Sequence, residues 1–421
     1  MQSCRVVLLL ASAMLLPGQD VRPKDVRDMA KAGSSAIPQL QELLKNPDAA
    51  VRIEAVRQIA EIGTARSLDA LILATRDNDP EVQIRATDGL VNFYLPGYVQ
   101  TGIGASLRRA GAGIKGRFAG ANDQVIDPYV MVRPKVIDAL GKLASGGGNM
   151  DARANAARAL GILRGNKAIP DLVEALHSRN SDVIYESLVA LRKIREESAG
   201  PRVAFLLHDL DRKVQIAAIE TTGLLRNQDA VPELTDVLKR ARDAQVKRAA
   251  LTAIAMLPSE KSRDLYAQYL RDKDDRMRAA AAEGYARLRH PDDLPMLEKA
   301  WQEEGKTSPR LSLAFAQVML GRTELGEFSP LEYLIDTLNS AAYKGEAIPF
   351  LVELARDDQV RQTLYGPLET GTKDEKIGLA RVLARSGGRE SIPRLQKLSN
   401  DPDANVAQEG LRALRTLQAR F

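Results

Sequence analysis

Ile37-Pro38-Gln39-Leu40 is followed, after the turn Asn46-Pro47-Asp48, by Val51, Ala55 and Ile59 at a spacing of four. The proline falls in the first turn of a helix, where its missing N–H leaves no hydrogen bond unmade. The spacing of four puts the three apolar residues on one face of a second helix. The same pattern returns along the chain. Its openings are Ile169-Pro170-Asp171-Leu172, Val231-Pro232-Glu233-Leu234 and Ile392-Pro393-Arg394-Leu395. Its second-helix faces are Val82/Ala86/Leu90, Val214/Ala218/Thr222, Val246/Ala250/Ile254 and Val406/Gly410/Leu414.

The middle position of that face carries the most information. It reads Ala55, Ala86, Ala156, Ser187, Ala218, Ala250, Ala281, Ala314, Gly378 and Gly410, small in all ten units. A small residue once per unit lets each second helix approach its neighbour closely, as a stack of antiparallel helix pairs requires. Most of its members follow one another at 31 to 33 positions, but Ala86 to Ala156 is 70 and Ala314 to Gly378 is 64. The interval of 64 is two units, which predicts a degenerate one around 330–355, where Leu331, Leu334, Ile335 and Leu338 keep helical spacing. The interval of 70 is one unit plus about 39 residues and predicts an insertion.

Composition agrees with closely packed helices. Aromatic residues are 4% of the 421, while 44% are hydrophobic and 27% charged. A β-sandwich would draw more heavily on rings and β-branched residues. With 60 Lys plus Arg against 55 Asp plus Glu, the net charge of +5 is a slight excess over a long chain and argues against a nucleic-acid partner. At the N-terminus, Arg5 precedes the apolar run Val6 to Leu16, closed by Pro17-Gly18. Eleven residues are too few to span a bilayer and fit the hydrophobic region of a secretory signal peptide, so residues 1–19 are read as a signal and the protein as exported, periplasmic or secreted. Cys4, the single cysteine, lies before that run, so a cleaved chain would hold no thiol.

With the first-helix proline, the acidic turn and the Val51-Arg52 pair that opens the second helix (Met277-Arg278 is close to it), the chain resembles HEAT-repeat proteins, including the bacterial HEAT-like repeats of phycobilisome lyases. The expected fold is all-α: an α-solenoid of about 10–11 HEAT-like helix pairs. Units occupy 20–94 and 135–421, with the insertion at 95–134. For function, the resemblance implies a non-catalytic scaffold that binds a protein or peptide along its stacked second helices. An enzyme or enzyme accessory of the HEAT-like lyase group is the alternative, followed by binding of an anionic polymer or lipid surface.

Two basic features bear on binding. Arg52, Arg57, Arg85, Arg153, Arg158, Lys247, Arg248 and Arg278 form a candidate ribbon along the second helices. The simpler expectation is that they pair with acidic turn residues such as Asp48, Asp79, Asp151 and Asp243. Such exposed pairs are each worth about 0–1 kcal/mol, so that reversing the charge of Arg52 or Arg278 would leave folding nearly intact. The insertion is rich in glycine, with seven between Leu95 and Pro134, and carries a local net charge of +3. Its Tyr98, Arg108, Arg109, Lys115, Arg117, Phe118 and Tyr129 are the candidate partner-binding residues, against the alternative of a loop whose aromatics pack over the neighbouring units.

No catalytic residue, metal ligand or cofactor site is nominated. Gly111-Ala112-Gly113-Ile114-Lys115-Gly116 has the spacing of a nucleotide-binding turn but follows Leu107-Arg108-Arg109 rather than an apolar strand. His177, His208 and His290 are far apart and are followed by Ser178, Asp209 and Pro291, not by the glutamates of the His-Glu pairs with which HEAT-like hydroxylases bind iron.

Overall fold

The computed structural model describes residues 21–98 and 124–421, which fall into two compact units. All regular elements among the described residues are helical. The turn chemistry explains why. Asp48, Asp79, Asn149, Asn180, Asp211, Asp243, Asp274 and Asp403 each accept a backbone N–H from two or three residues on, satisfying donors that a helix start leaves free. The helices beginning at Ile37, Ile169, Val231 and Ile392 all carry proline in their first turn.

The first unit holds α1 (Pro23–Ala30) and two helix pairs. These are α2 (Ile37–Glu42) with α3 (Ala49–Ile62), and α4 (Ser67–Ala74) with α5 (Pro80–Tyr94). Val51, Ala55, Ile59, Val82, Ala86 and Leu90 are fully buried between them.

The second unit opens with α6 (Pro134–Gly146) and α7 (Met150–Ile162), then α8 (Ile169–Ala175) and α9 (Ser181–Ile194). The first half of the next pair is two short 3-10 segments, Glu197–Arg202, which contains Pro201, and Ala204–Leu206; its second half is α10 (Arg212–Leu224). There follow α11 (Val231–Arg240) with α12 (Ala244–Ala255), α13 (Arg263–Tyr269) with α14 (Asp275–Leu288), and α15 (Leu294–Glu303) with α16 (Thr307–Met319). The degenerate unit is present as α17 (Pro330–Asp336) and α18 (Lys344–Leu354). Leu331, Leu334, Ile335 and Leu338 are buried, and fully buried Ala347 supplies its missing small residue. A first helix broken at Leu364 into α19 (Asp358–Thr363) and α20 (Tyr365–Thr370) precedes α21 (Lys373–Ser386), and α22 (Ile392–Leu398) with α23 (Ala404–Gln418) ends the chain.

The small column works by close approach. Its alanines, and Ser187, have no accessible surface, and a Cβ on Gly410 would lie 2.8 Å from the Leu398 carbonyl carbon. One apolar core runs without interruption from Leu207 to Leu417. Each repeat therefore spends its apolar residues on its neighbours, which leaves the ends and polar faces of the second helices to do anything else. Residues 1–19, read as a signal peptide, lie outside the described residues.

Candidate binding site

The basic ribbon expected along the second helices is largely consumed by pairing. Arg52 donates from Nε and Nη2 to the two carboxylate oxygens of Asp77 at 2.8 and 3.0 Å, and from Nη1 to the carbonyls of Asn46 and Pro47. Arg278 does the same with Glu304, at 2.7 and 3.0 Å, and with the Asp272 and Lys273 carbonyls. Arg361 pairs with Glu390 and caps the Ala355 carbonyl. In all three, one guanidinium ties the end of the preceding helix to the next repeat. The expectation of exposed pairs worth little is corrected for Arg52 and Arg278. Their side chains are 11% and 19% exposed and those of their acids 9% and 8%, so reversing either charge would bury unmatched groups. Elsewhere in the ribbon Arg57 pairs with Glu61, Arg85 with Glu81, Arg158 with Glu186 and Arg248 with Asp274, while Arg153 caps the Ala144 carbonyl.

A second set of arginines behaves differently. Arg164, Arg195, Arg226 and Arg289 follow the second helices α7, α9, α10 and α14, with φ of 49°, 61°, 54° and 58°. This left-handed conformation usually falls to glycine, as at Gly63 after α3, because a Cβ is crowded there. Holding a non-glycine residue in it costs about 1 kcal/mol. Four repeats bear that cost with the same side chain. Arg226 lies 3.5 Å from exposed Glu197. Among the described residues, Arg164, Arg195 and Arg289 have no carboxylate partner.

The second unit returns on itself at this place. Ile126, buried, donates its N–H to the carbonyl of Ile162 at the end of α7, and Lys193 donates to the carbonyl of Gln124. The next residue, Asp127, accepts from Nε and Nη2 of Arg412 on α23, 285 positions away, at 2.9 and 2.7 Å, and from the Tyr129 hydroxyl at 2.9 Å. Thus the last helix of the unit meets the chain that leads into its first. Arg385, near the end of α21, adds positive charge that is felt at Arg164.

The electrostatics separate the two sets. Hydrogen bonds donated to acids push the guanidinium pKa up at Arg52, Arg248 and Arg278, and the one to Asp127 does so at Arg412. At Arg164 it is pushed down, first by burial and then by Arg385 and Arg195, with only Asp127 opposing. At Arg385 burial again leads, followed by Arg195, Arg381 and Arg412, with Glu409 opposing. Both residues are nonetheless exposed at the surface. Arg385, like Arg164 and Arg195, has no carboxylate partner among the described residues. Such a cluster holds positive charge in reserve and can accept anionic oxygens.

The pattern described as HEAT repeats matches residues 12–91, 137–209 and 231–316, more than half of the chain. The chain belongs to the HEAT-repeat family. Solved structures similar to this HEAT-repeat chain include an engineered protein (20% identity, 91% of this chain and 98% of that one, TM-score 0.38). They also include the complex of CpcE and CpcF of phycocyanin lyase from Nostoc sp. PCC7120 (16% identity, 73% and 97%, TM-score 0.30) and importin beta (14% identity, 95% and 60%, TM-score 0.39). These likenesses concern the fold. No curated protein sequence matches the chain.

Of the seven residues proposed from the insertion, Tyr129 lies at the arginine cluster of the second group of HEAT repeats, where burial and the bond to Asp127 push its hydroxyl pKa up. Tyr98 closes a turn with its N–H on the Leu95 carbonyl, after α5. Arg108, Arg109, Lys115, Arg117 and Phe118 lie outside the described residues. The three histidines are occupied apart from one another: His177 stacks on Phe205 with centroids 4.8 Å apart, His208 faces Glu233 at 3.3 Å, and His290 faces Glu260 at 2.6 Å. Among the described residues no group of His, Cys, Asp and Glu could hold a metal ion, and no helix is long and apolar enough to cross a membrane. Arg164, Arg195 and Arg385 were not among the residues nominated from sequence. A signal for two of them exists: an aliphatic residue followed by Arg closes the second helix at Leu163-Arg164, Ile194-Arg195, Leu225-Arg226 and Leu288-Arg289, at intervals of 31, 31 and 63.

Proposed function

We propose that this HEAT-repeat solenoid is a non-catalytic scaffold that binds a protein partner. The observation that carries this reading is the recurrence of arginine in the left-handed conformation after four second helices, three of them without a carboxylate partner among the described residues. Folding alone would favour glycine there, and a guanidinium kept at that cost supports a role outside the repeat for those not paired within it, as Arg226 is with Glu197. A surface repeated at each unit suits an elongated partner better than a small molecule, because each repeat adds one similar contact.

Tyr98, Arg108, Arg109, Lys115, Arg117, Phe118 and Tyr129 are proposed as further contacts to the same partner. Export remains a proposal resting on the apolar run before Pro17, and sequencing the N-terminus of protein isolated from its host tests it; an intact Met1 overturns it. For the scaffold reading, the test is in-cell cross-linking with wild type and with Arg164→Gly/Arg195→Gly. Recovery of a defined protein by wild type and its loss from the variant is expected. Equal recovery by both, or detectable turnover of a small molecule by the purified chain, would contradict the reading.

A further inference from the structure

We propose that Asp127 and Arg412 form a releasable latch that holds the second unit closed on itself, and that the unit has an open form in which its first and last repeats part. The latch goes beyond the scaffold reading and does not depend on it. Three observations lead to it.

First, the strap that carries Asp127 is anchored on one side and reaches across to the other. Its anchors lie on the first repeats of the unit. The Ile126 N–H donates to the Ile162 carbonyl at the end of α7 at 3.0 Å, and Lys193 of α9 donates to the Gln124 carbonyl at 3.2 Å. Ile126 itself is buried. The hold on the last helix comes from the next side chain along. Asp127 Oδ1 accepts from Nε and Nη2 of Arg412 on α23 at 2.9 and 2.7 Å, bonds that join residues 285 positions apart. Its Oδ2 accepts from the Tyr129 hydroxyl of the same strap at 2.9 Å, which fixes the carboxylate in place.

Second, this seam lacks the apolar backing of the stack. The core that ends at Leu417 contains no residue of α6 to α9, and Val406, Leu414 and Leu417 of α23 belong to that core. Beside the ion pair, Met131 on the strap is 87% exposed and Leu411 on α23 is 40% exposed. Consecutive repeats are joined instead across buried residues such as Ala218, Ala250 and Ala281, with pairs like Arg278 and Glu304 added to them. Breaking Asp127 from Arg412 therefore leaves the core of the stack whole.

Third, the pair is held by charge that water and salt can reach. The Arg412 and Asp127 side chains are 52% and 24% exposed, a setting in which an ion pair adds little and is screened. Arg385 on α21 adds positive charge that is felt at Arg164 after α7, with Asp127 opposing it. The curvature of a solenoid is the sum of a small rotation at each repeat. A slight relaxation spread over the stack thus suffices to part its ends once the latch lets go.

The test measures one distance in the full chain by pulsed electron double resonance. Spin labels are placed at Lys167→Cys, just after α7, and at Gln418→Cys, the end of α23, both exposed positions, in a Cys4→Ser background. Asp127→Asn and Arg412→Gln should each lengthen the mean distance by about 8 Å or more, one helix-to-helix spacing. Arg381→Gln, which removes a pair with Glu409 between helices that share a core, should leave it unchanged. Salt at about 1 M should move the parent part of the way to the longer distance, a measurement that needs no latch variant. Thermal melts establish that the variants fold. An unchanged distance in both latch variants, or in the parent at about 1 M salt, would overturn the latch. Equal lengthening in Arg381→Gln would overturn it too, because the whole stack would then be yielding. The cross-linking test of the scaffold is read separately and stands or falls without this result.

Discussion

Two populations of arginine are built into the helical repeats and do opposite things. Near the start of a helix, Arg52, Arg278 and Arg361 spend their donors on the preceding helix end and on an acid of the next repeat, joining units. Just past the helix end, Arg164 and Arg195 stand in strained backbone without a carboxylate partner among the described residues. The difference teaches how a repeat protein divides its labour: many guanidiniums hold the stack, Arg192 and Arg287 near helix ends included, while a few just past those ends have no acid to answer them.

The division breaks first, and hardest, where a joining arginine is removed. Arg287, near the end of α14, bonds Glu353 at 3.0 and 2.9 Å and Glu283 at 3.1 Å beneath the ring of Phe315. Burial already pushes the pKa of Glu283 up. Arg287→Ala leaves two acids facing each other and should cost about 3 kcal/mol or more in urea unfolding. Arg278→Ala, which strands Glu304 and two carbonyls, should cost about 2 kcal/mol in the same measurement. A loss of no more than about 0.5 kcal/mol in either, the scale of an exposed ion pair, would erase the distinction between joining and binding arginines.

A smaller effect gives the sign of the joining electrostatics. Burial raises the pKa of Asp274, but the bonds from Arg248 and from the Arg276 N–H outweigh it and hold the carboxyl below its ordinary value. An acid with a depressed folded pKa stabilises fully above its unfolded value and loses that contribution as pH falls through the folded one. Asp274→Asn keeps a capping side chain while removing the charge. Its deficit should therefore be about 1 kcal/mol at pH 7 and vanish on acidification below about pH 4, read by thermal melts across pH. A deficit that stayed constant with pH would assign the effect to the cap instead.

The stack was legible because packing writes itself into local spacing. Ala55 and its counterparts recur near 31 positions, and the gap between Ala314 and Gly378 pointed to the unit whose small residue is Ala347. Pairing of Arg52 was anticipated in kind but not in depth, since burial of Asp77 depends on how the next turn folds over it. The arginine cluster was not read at all. Arg164 and Arg385 are 221 positions apart, and Arg412 reaches Asp127 only because the second unit returns on itself. No local period encodes that meeting. Left-handed backbone after a helix is equally silent when the residue is arginine rather than glycine.

The smallest expected change is also the most telling. In Arg164→Gly/Arg195→Gly, relief of the left-handed strain and of repulsion from Arg385 is partly offset by the greater freedom of glycine in the unfolded chain. Urea unfolding of this double variant at low ionic strength should show stability unchanged or raised by up to about 1 kcal/mol, in contrast to every joining arginine. A loss of more than about 1 kcal/mol would mean that these two arginines hold the fold together like the others, and that they are not kept for a ligand.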